Sequence, residues 1–201
     1  MFNCPESFPD ILVDRLTSDI KTEKLNLQIN KLPHEPYAAI EWAIPGIIAI
    51  FIAQNYFGGF LKELGKEHYF ILKKWIKKTA IDSRNIKVTT LTASKSTKKI
   101  DKTNSQSKAF SVYIQTANNK SLKLLFDLNL NNLVWESAID KIVDLAYDNY
   151  INFPNDKLTL EISKLDTNSR TIYAIINPDS KDWEFLDQTK LIQKIRNSKG
   201  E

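Results

Sequence analysis

One cluster in this chain combines residue types and spacing that suit metal chemistry. Glu63, Glu67 and His68 fall within about one helical turn, and two carboxylates with an imidazole can bind a divalent metal. Lys62 and Lys66 stand beside the carboxylates, so an ion-paired helix surface accounts for the same spacing. Because such clusters are common on helices, we expect no metal site and no cofactor.

Nucleophilic chemistry has no local signature either. Cys4 is the single cysteine, has no histidine close in sequence, and belongs to a terminal segment that we expect to be mobile. His34 and His68 are the only histidines, which excludes a histidine-rich metal site within one chain. No Gly-rich phosphate loop, nucleophile elbow or paired-cysteine zinc pattern occurs. We expect a protein that is not an enzyme, although dispersed carboxylates, such as Glu41 and the two glutamates named above, would leave no such pattern.

The chain has the composition of a packed intracellular domain. Its 201 residues are 42% hydrophobic and 26% charged, which predicts a single domain spanning 1–201. Cys4 alone cannot form an intrachain disulfide, and the first residues lack the pattern of a signal peptide, so we expect a cytoplasmic protein. The formal net charge of +4 and the pI near 9.0 suit nucleic acid, an anionic membrane or an ordinary lysine-rich protein, and therefore select no partner.

The strongest single signal is an uncharged run from Trp42 to Leu61. Its length, about 20 residues, is what an α-helix needs to cross a bilayer. Pro45-Gly46 and Gly58-Gly59 interrupt the run and leave an apolar centre of about 12 residues, which is more typical of a buried or interfacial helix. We predict a long apolar helical hairpin from 37 to 81, inserted between the first and second strands.

From this predicted hairpin we infer how the chain would bind a partner. Its apolar half would insert into a membrane, at the cytoplasmic face, or pack against a partner subunit, while the lysines of its second half would contact an anionic surface. The simpler interpretation is that a sheet covers the apolar half and that the lysines form a solvated surface. Self-association is a third interpretation. The predicted contact residues are Trp42, Ile47, Ile48, Phe51, Ile52, Lys73, Lys74, Lys77 and Lys78.

The remaining patterns predict an α+β fold, in which a mostly antiparallel sheet of five or six strands packs against the hairpin and two further helices. Phe110, Val112 and Ile114 alternate with polar residues, which is typical of a half-buried strand. An apolar stripe from Trp135 to Tyr150 predicts a helix whose opposite face is acidic. The predicted strands are 24–32, 85–93, 109–116, 121–128, 157–165 and 170–177, and the predicted helices outside the hairpin are 131–150, 183–197 and a short one within 11–20.

A polar loop from 94 to 108 supports an alternative function. Its lysines precede a strand that bears Phe110 and Tyr113, and single-stranded nucleic-acid binders combine lysine contacts to phosphate with aromatic stacking. The loop contains no arginine, and a solvated surface loop has the same composition. We therefore expect a non-catalytic membrane-associated or partner-binding protein, with a soluble nucleic-acid-binding module as the alternative. The lysines of that alternative are Lys95, Lys98, Lys99, Lys102 and Lys108.

Overall fold

The computed structural model describes residues 1–21, 27–33, 46–88 and 105–197. In these ranges seven strands form one sheet, and helices pack against both of its faces. The strands are β1 (Phe2–Pro5), β2 (Ile29–Leu32), β3 (Ile48–Ile52), β4 (Phe110–Gln115), β5 (Ser121–Leu125), β6 (Thr171–Ile176) and β7 (Trp183–Leu186). The helices are α1 (Asp10–Thr17), α2 (Leu61–Arg84), α3 (Asn132–Asn152), α4 (Lys157–Ser163) and α5 (Gln188–Asn197), and a π-helical turn (Tyr56–Phe60) leads into α2.

The sheet is mixed, with the strand order β2-β1-β3-β4-β5-β6-β7. The pairs β1/β2, β3/β4 and β5/β6 are parallel, and the pairs β1/β3, β4/β5 and β6/β7 are antiparallel. Each parallel pair is separated in sequence by at least one helix, because parallel neighbours need a crossover longer than a hairpin turn. The α+β class is therefore confirmed, whereas the prediction of a mostly antiparallel sheet was wrong because strand spacing alone did not reveal these crossovers.

The predicted apolar helical hairpin does not form where the structure describes its first half. Ile48–Ile52 is strand β3, which lies between β1 and β4 in the interior of the sheet. Isoleucine is β-branched and favours a strand, and a short apolar run between two interruptions suits a strand that is covered on both sides. Ile47 directly precedes this strand, while Trp42 and the rest of 34–45 lie outside the described residues.

A helix does form in the second half of the region predicted as a hairpin: it is α2, which ends at Arg84. Gly65 interrupts the first turns of α2 with a φ of +73°, a conformation that glycine adopts without steric cost. The structure also confirms the short helix near the N-terminus, the strand within 24–32, both strands of the β4–β5 hairpin, α3, and the strand within 170–177, here β6.

Two predictions in the second half of the chain were wrong. The segment predicted as a strand over 157–165 is helix α4, because the Asp156 side chain accepts a hydrogen bond from the Thr159 N–H at 2.9 Å and caps the helix. The single helix predicted over 183–197 is divided into strand β7 and helix α5.

The expectation of a mobile N-terminus was also wrong. Of the strand predicted over 85–93, the structure describes only residues 85–88. Strand β1 replaces the expected mobile segment, and Cys4 is a buried thiol within it. Burial raises the pKa of Cys4, and this disfavours the thiolate that a nucleophile needs. Residues 86–88 are not in a strand, and 89–104 lie outside the described residues.

The two faces of the sheet pack against different helices. One face of the sheet packs against α2 and α3 and forms the main core. Four residues of adjacent strands stand side by side on this face: Ile50, Val112, Leu124 and Ala174. On the opposite face a second cluster joins the sheet to α5. Its members are Leu125, Tyr173, Ile175, Leu186 and Leu191.

Ile50 lies at the centre of the main core with 1% of its surface exposed. Ile50→Ala should lower the free energy of unfolding by about 2–5 kcal/mol, because truncation removes apolar contacts and leaves a cavity. The matched control is Ile11→Ala, since Ile11 is 78% exposed on α1 and should change stability by less than about 0.5 kcal/mol. Urea unfolding followed by tryptophan fluorescence measures both. Equal losses at the two positions would contradict an interior β3.

Candidate functional site

Helices α2 and α3 are joined by a ladder of ion pairs. Lys73 Nζ lies 2.6 Å from Asp144 Oδ1, and Lys77 Nζ lies 2.9 Å from Asp140 Oδ2. Residue numbers rise on α2 as they fall on α3, so the two helices run antiparallel. Tyr69 donates a hydrogen bond to Asp144, and burial followed by this carboxylate raises the pKa of Tyr69 above its usual value.

The ladder contains lysines that the sequence predicted to contact an anionic surface. Lys73 is buried and Lys77 is half-buried in the ladder, while Lys78 Nζ lies 2.5 Å from Asp19 Oδ2. The hydrogen bond from Lys78 lowers the pKa of Asp19. Lys74 is exposed and forms no ion pair within the described ranges. Three of the four predicted contact lysines are therefore neutralised by aspartates of the same chain.

Those predicted apolar contact residues that the structure describes lie in or beside β3, away from a common surface with these lysines. Ile48 and Ile52 are buried in the main core, and Ile47 is half-buried beside it. Phe51 points to the other face, where its ring stacks on Tyr113 with a centroid distance of 4.5 Å. The structure thus separates the two halves of the predicted contact set.

An exposed apolar patch lies at one end of the α2–α3 pair. The Tyr69 ring lies between Phe70 and Tyr147, with centroid distances of 5.9 and 5.3 Å. Ile151 follows Tyr147 by one helical turn on α3. Phe70 is 63% exposed and Ile151 is 52% exposed. We call these four residues the helix patch. No sequence pattern indicates it, because only the fold brings α2 and α3 together.

Carboxylates border the helix patch. Glu136, Asp140, Asp144 and Asp148 recur every four residues along α3, the acidic face that the sequence predicted. Like charges at this spacing repel one another by a few tenths of a kcal/mol. The lysines of the ladder neutralise Asp140 and Asp144. Glu136 and Asp148 form no ion pair with any described residue. Unbalanced negative charge therefore remains at Asp148, directly beside Tyr147.

Glu67 and His68 of the candidate metal cluster have different surroundings. His68 is buried, and its Nδ1 lies 2.9 Å from the Tyr56 hydroxyl, whereas Glu67 is exposed. Burial lowers the pKa of His68, and a hydrogen bond with the Ile20 backbone opposes that shift. The Glu63 side chain lies outside the described part of the chain. Within that part, no three side chains of His, Cys, Asp or Glu are grouped to hold a metal ion.

A buried lysine on the second face of the sheet was not foreseen. Lys123 is 1% exposed, although alternate residues of a half-exposed strand face solvent. It stands in register between Tyr113 and Tyr173, and its Nζ lies 5.4 Å from the centroid of the Tyr113 ring. Burial lowers the pKa of Lys123 to about 7. Burial also raises the pKa of Tyr113.

The predicted nucleic-acid loop lies largely outside the described residues. Lys95, Lys98, Lys99 and Lys102 all fall within 89–104, and Lys108 is half-buried just before β4. Glu41, one of the dispersed carboxylates, is also outside the described ranges. The nucleic-acid alternative therefore stays a prediction.

No protein-family model, curated protein or solved structure matches this chain. Among the described helices, none has the length and apolar character needed to cross a membrane. Function must therefore be inferred from the geometry of the chain itself. The helix patch is exposed and consists mainly of aromatic side chains, the type that protein interfaces favour at their centres.

Lys123 should make stability depend on pH in a defined direction. Its pKa is about 7 in the folded protein, against an unfolded value of about 10.4. Between these pH values the unfolded chain binds more protons, so the unfolding free energy should rise with pH by up to about 1.4 kcal/mol per pH unit. Urea unfolding at pH 7, 8 and 9 measures this slope.

Two variants test whether Lys123 is the source of that slope. Lys123→Met should lose it, because methionine does not titrate. Lys190→Met removes an exposed lysine of α5 and should retain the slope of the wild type. Parallel pH profiles for the wild type and Lys123→Met would contradict a lowered pKa at Lys123.

Proposed function

We propose that this chain is a non-catalytic interaction protein that forms a two-fold dimer through the outer face of α2 and α3. The observation that carries this proposal is the helix patch, in which large apolar side chains are exposed next to one another. Single exposed apolar residues are ordinary on a protein surface, but contiguous ones mark interaction sites. Aromatic side chains contribute strongly to such sites because they bury a large area with few rotatable bonds.

The charges around the helix patch favour a second copy of the chain as the partner. Lys74 is exposed on α2 one turn from Phe70, and Asp148 adjoins Tyr147 on α3. An isologous interface joins the same surface to itself, so a two-fold axis through the patch places α2 of one copy over α3 of the other. Lys74 then approaches the last turns of the opposite α3, where the partner's Asp148 carries the complementary charge.

The same charges disfavour an anionic membrane as the partner. Lys73 and Lys77 are already neutralised within the ladder, so lipid headgroups would have to displace aspartates to reach them. The carboxylates of α3 lie on the same surface and would be repelled by anionic lipid. These charges therefore support binding of a protein partner over association with a membrane.

Substitutions within the helix patch test the dimer. Size exclusion with light scattering should give the wild type the mass of two 23.1 kDa chains. Phe70→Ser and Tyr147→Ser should each raise the dimer dissociation constant by ~30-fold or more, because central aromatic residues of interfaces typically contribute about 2 kcal/mol or more. Circular dichroism checks that the variants remain folded.

Leu133→Ser is the matched control. Leu133 is 75% exposed on the same helix, but it lies about 20 Å from Tyr147 by the rise of an α-helix. The control should dimerise like the wild type. A wild-type mass of one chain at every concentration, or an equal loss from Leu133→Ser, would contradict the proposed interface.

A charge exchange tests the two-fold arrangement separately. Lys74→Glu and Asp148→Lys should each weaken the dimer, because each places like charges opposite one another. An equimolar mixture of the two variants should form a heterodimer, since both cross-interface contacts then pair opposite charges. Failure of the mixture to associate would contradict the pairing. Flotation of monomeric wild type with phosphatidylserine vesicles would instead favour the membrane hypothesis.

A further inference from the structure

A concave polar site lies where two turns meet at one end of the sheet. The turn between β4 and β5 contributes three lining residues, and the segment before β6 contributes the other three. The cavity measures ≈ 500 Å³ and is open to solvent, with Asn119, Asn168 and Arg170 exposed at its surface. The lining residues are Asn118, Asn119, Lys120, Asn168, Ser169 and Arg170.

Hydrogen bonds fix the two walls of this cavity relative to each other. Lys120 Nζ donates to the backbone oxygens of Thr167 and Ser169, at 2.9 and 3.2 Å, so its ammonium joins one turn to the other. The Ser121 N–H donates to the Arg170 backbone oxygen at 2.8 Å and continues the β5–β6 pairing to the edge of the cavity. The backbone of both walls is therefore fixed before a ligand binds, so binding has to order only the lining side chains.

The β4–β5 turn is also anchored from within the protein. Asn118 Oδ1 accepts hydrogen bonds from the Thr116 hydroxyl at 2.6 Å and from the Lys120 N–H at 3.4 Å. The Ala117 N–H donates to Oδ1 of the buried Asn149 at 2.8 Å. The turn is therefore held by both its own side chains and helix α3.

The lining supplies hydrogen-bond donors and positive charge, and it contains no carboxylate. The Arg170 guanidinium and the side-chain amide nitrogens of Asn118, Asn119 and Asn168 make no hydrogen bond to another described residue. A guanidinium and an ammonium beside several amide donors match the charge and the acceptor oxygens of a phosphate group. No aromatic ring lines the cavity to stack on a base, so the remaining volume suits a hydroxylated, non-aromatic group.

We propose that this cavity binds a small phosphorylated molecule of the sugar phosphate class. Arg170 and Lys120 bind the phosphate, and the amides of Asn119 and Asn168 hydrogen-bond to the hydroxyl groups. This activity is independent of the proposed dimer, because none of the lining residues belongs to the helix patch.

Isothermal titration calorimetry of the full chain with glucose 6-phosphate tests the proposal. Saturable binding is expected, with no binding of glucose, because the phosphate supplies the charge that the lining recognises. Arg170→Gln should weaken binding by at least ~10-fold, as expected for the loss of a charged hydrogen-bond donor. Lys190→Gln removes the same charge from an exposed position on α5 and should leave the affinity unchanged.

Asn168→Asp provides a second test with almost no change in size. The added carboxylate should repel the phosphate and weaken binding by at least ~10-fold, while thermal unfolding checks that the variant is folded. The proposal would be overturned by the absence of binding, by equal weakening in Arg170→Gln and Lys190→Gln, or by wild-type affinity in Asn168→Asp. Binding of inorganic phosphate without glucose 6-phosphate would overturn the assignment to sugar phosphates.

Discussion

The pairing of β3 with β4 is the interaction on which the rest of the fold depends. Because the strand order runs β2-β1-β3-β4, β3 is the only link among the described strands between β1 and β2 and the other four. Its register is continuous from Ile48 opposite Phe110 to Ile52 opposite Ile114. Gly46 permits the close approach that starts this pairing, since a Cβ at that position would lie 2.8 Å from the backbone carbonyl carbon of Phe110.

The position of β3 also determines which charges the surface presents. Since β3 and β4 are parallel neighbours, the chain between them has to cross the sheet, and α2 is a described part of that crossover. This crossover packs α2 against α3, so Lys73 and Lys77 meet carboxylates of their own chain. The net charge of +4 is therefore a poor guide to binding. The charges available to another molecule include those, such as Lys74 and Asp148, that have no ion-pair partner among the described residues.

Sequence patterns predicted α3 from its apolar stripe, and they failed at β3, where every residue is apolar. Trp135 and Ile139 are buried, as the apolar stripe on α3 predicted. An apolar residue at every helical turn indicates an amphipathic helix with that face toward the core. Ile48–Ile52 has no polar alternate residues, so a buried strand and a buried helix give the same pattern. The candidate site was less predictable still. Lys73 and Asp144 are 71 residues apart, and only the fold shows that they pair.

The two proposed sites share the last turns of α3. Asn149, on the buried side of this helix, accepts the hydrogen bond from the Ala117 N–H and so holds one wall of the polar cavity. Tyr147 and Ile151 lie on the exposed side of the same turns and belong to the helix patch. Because the hydrogen bonds of Asn149 and Asn118 already hold this wall without a ligand, the cavity and the helix patch are independent sites on opposite sides of the same turns.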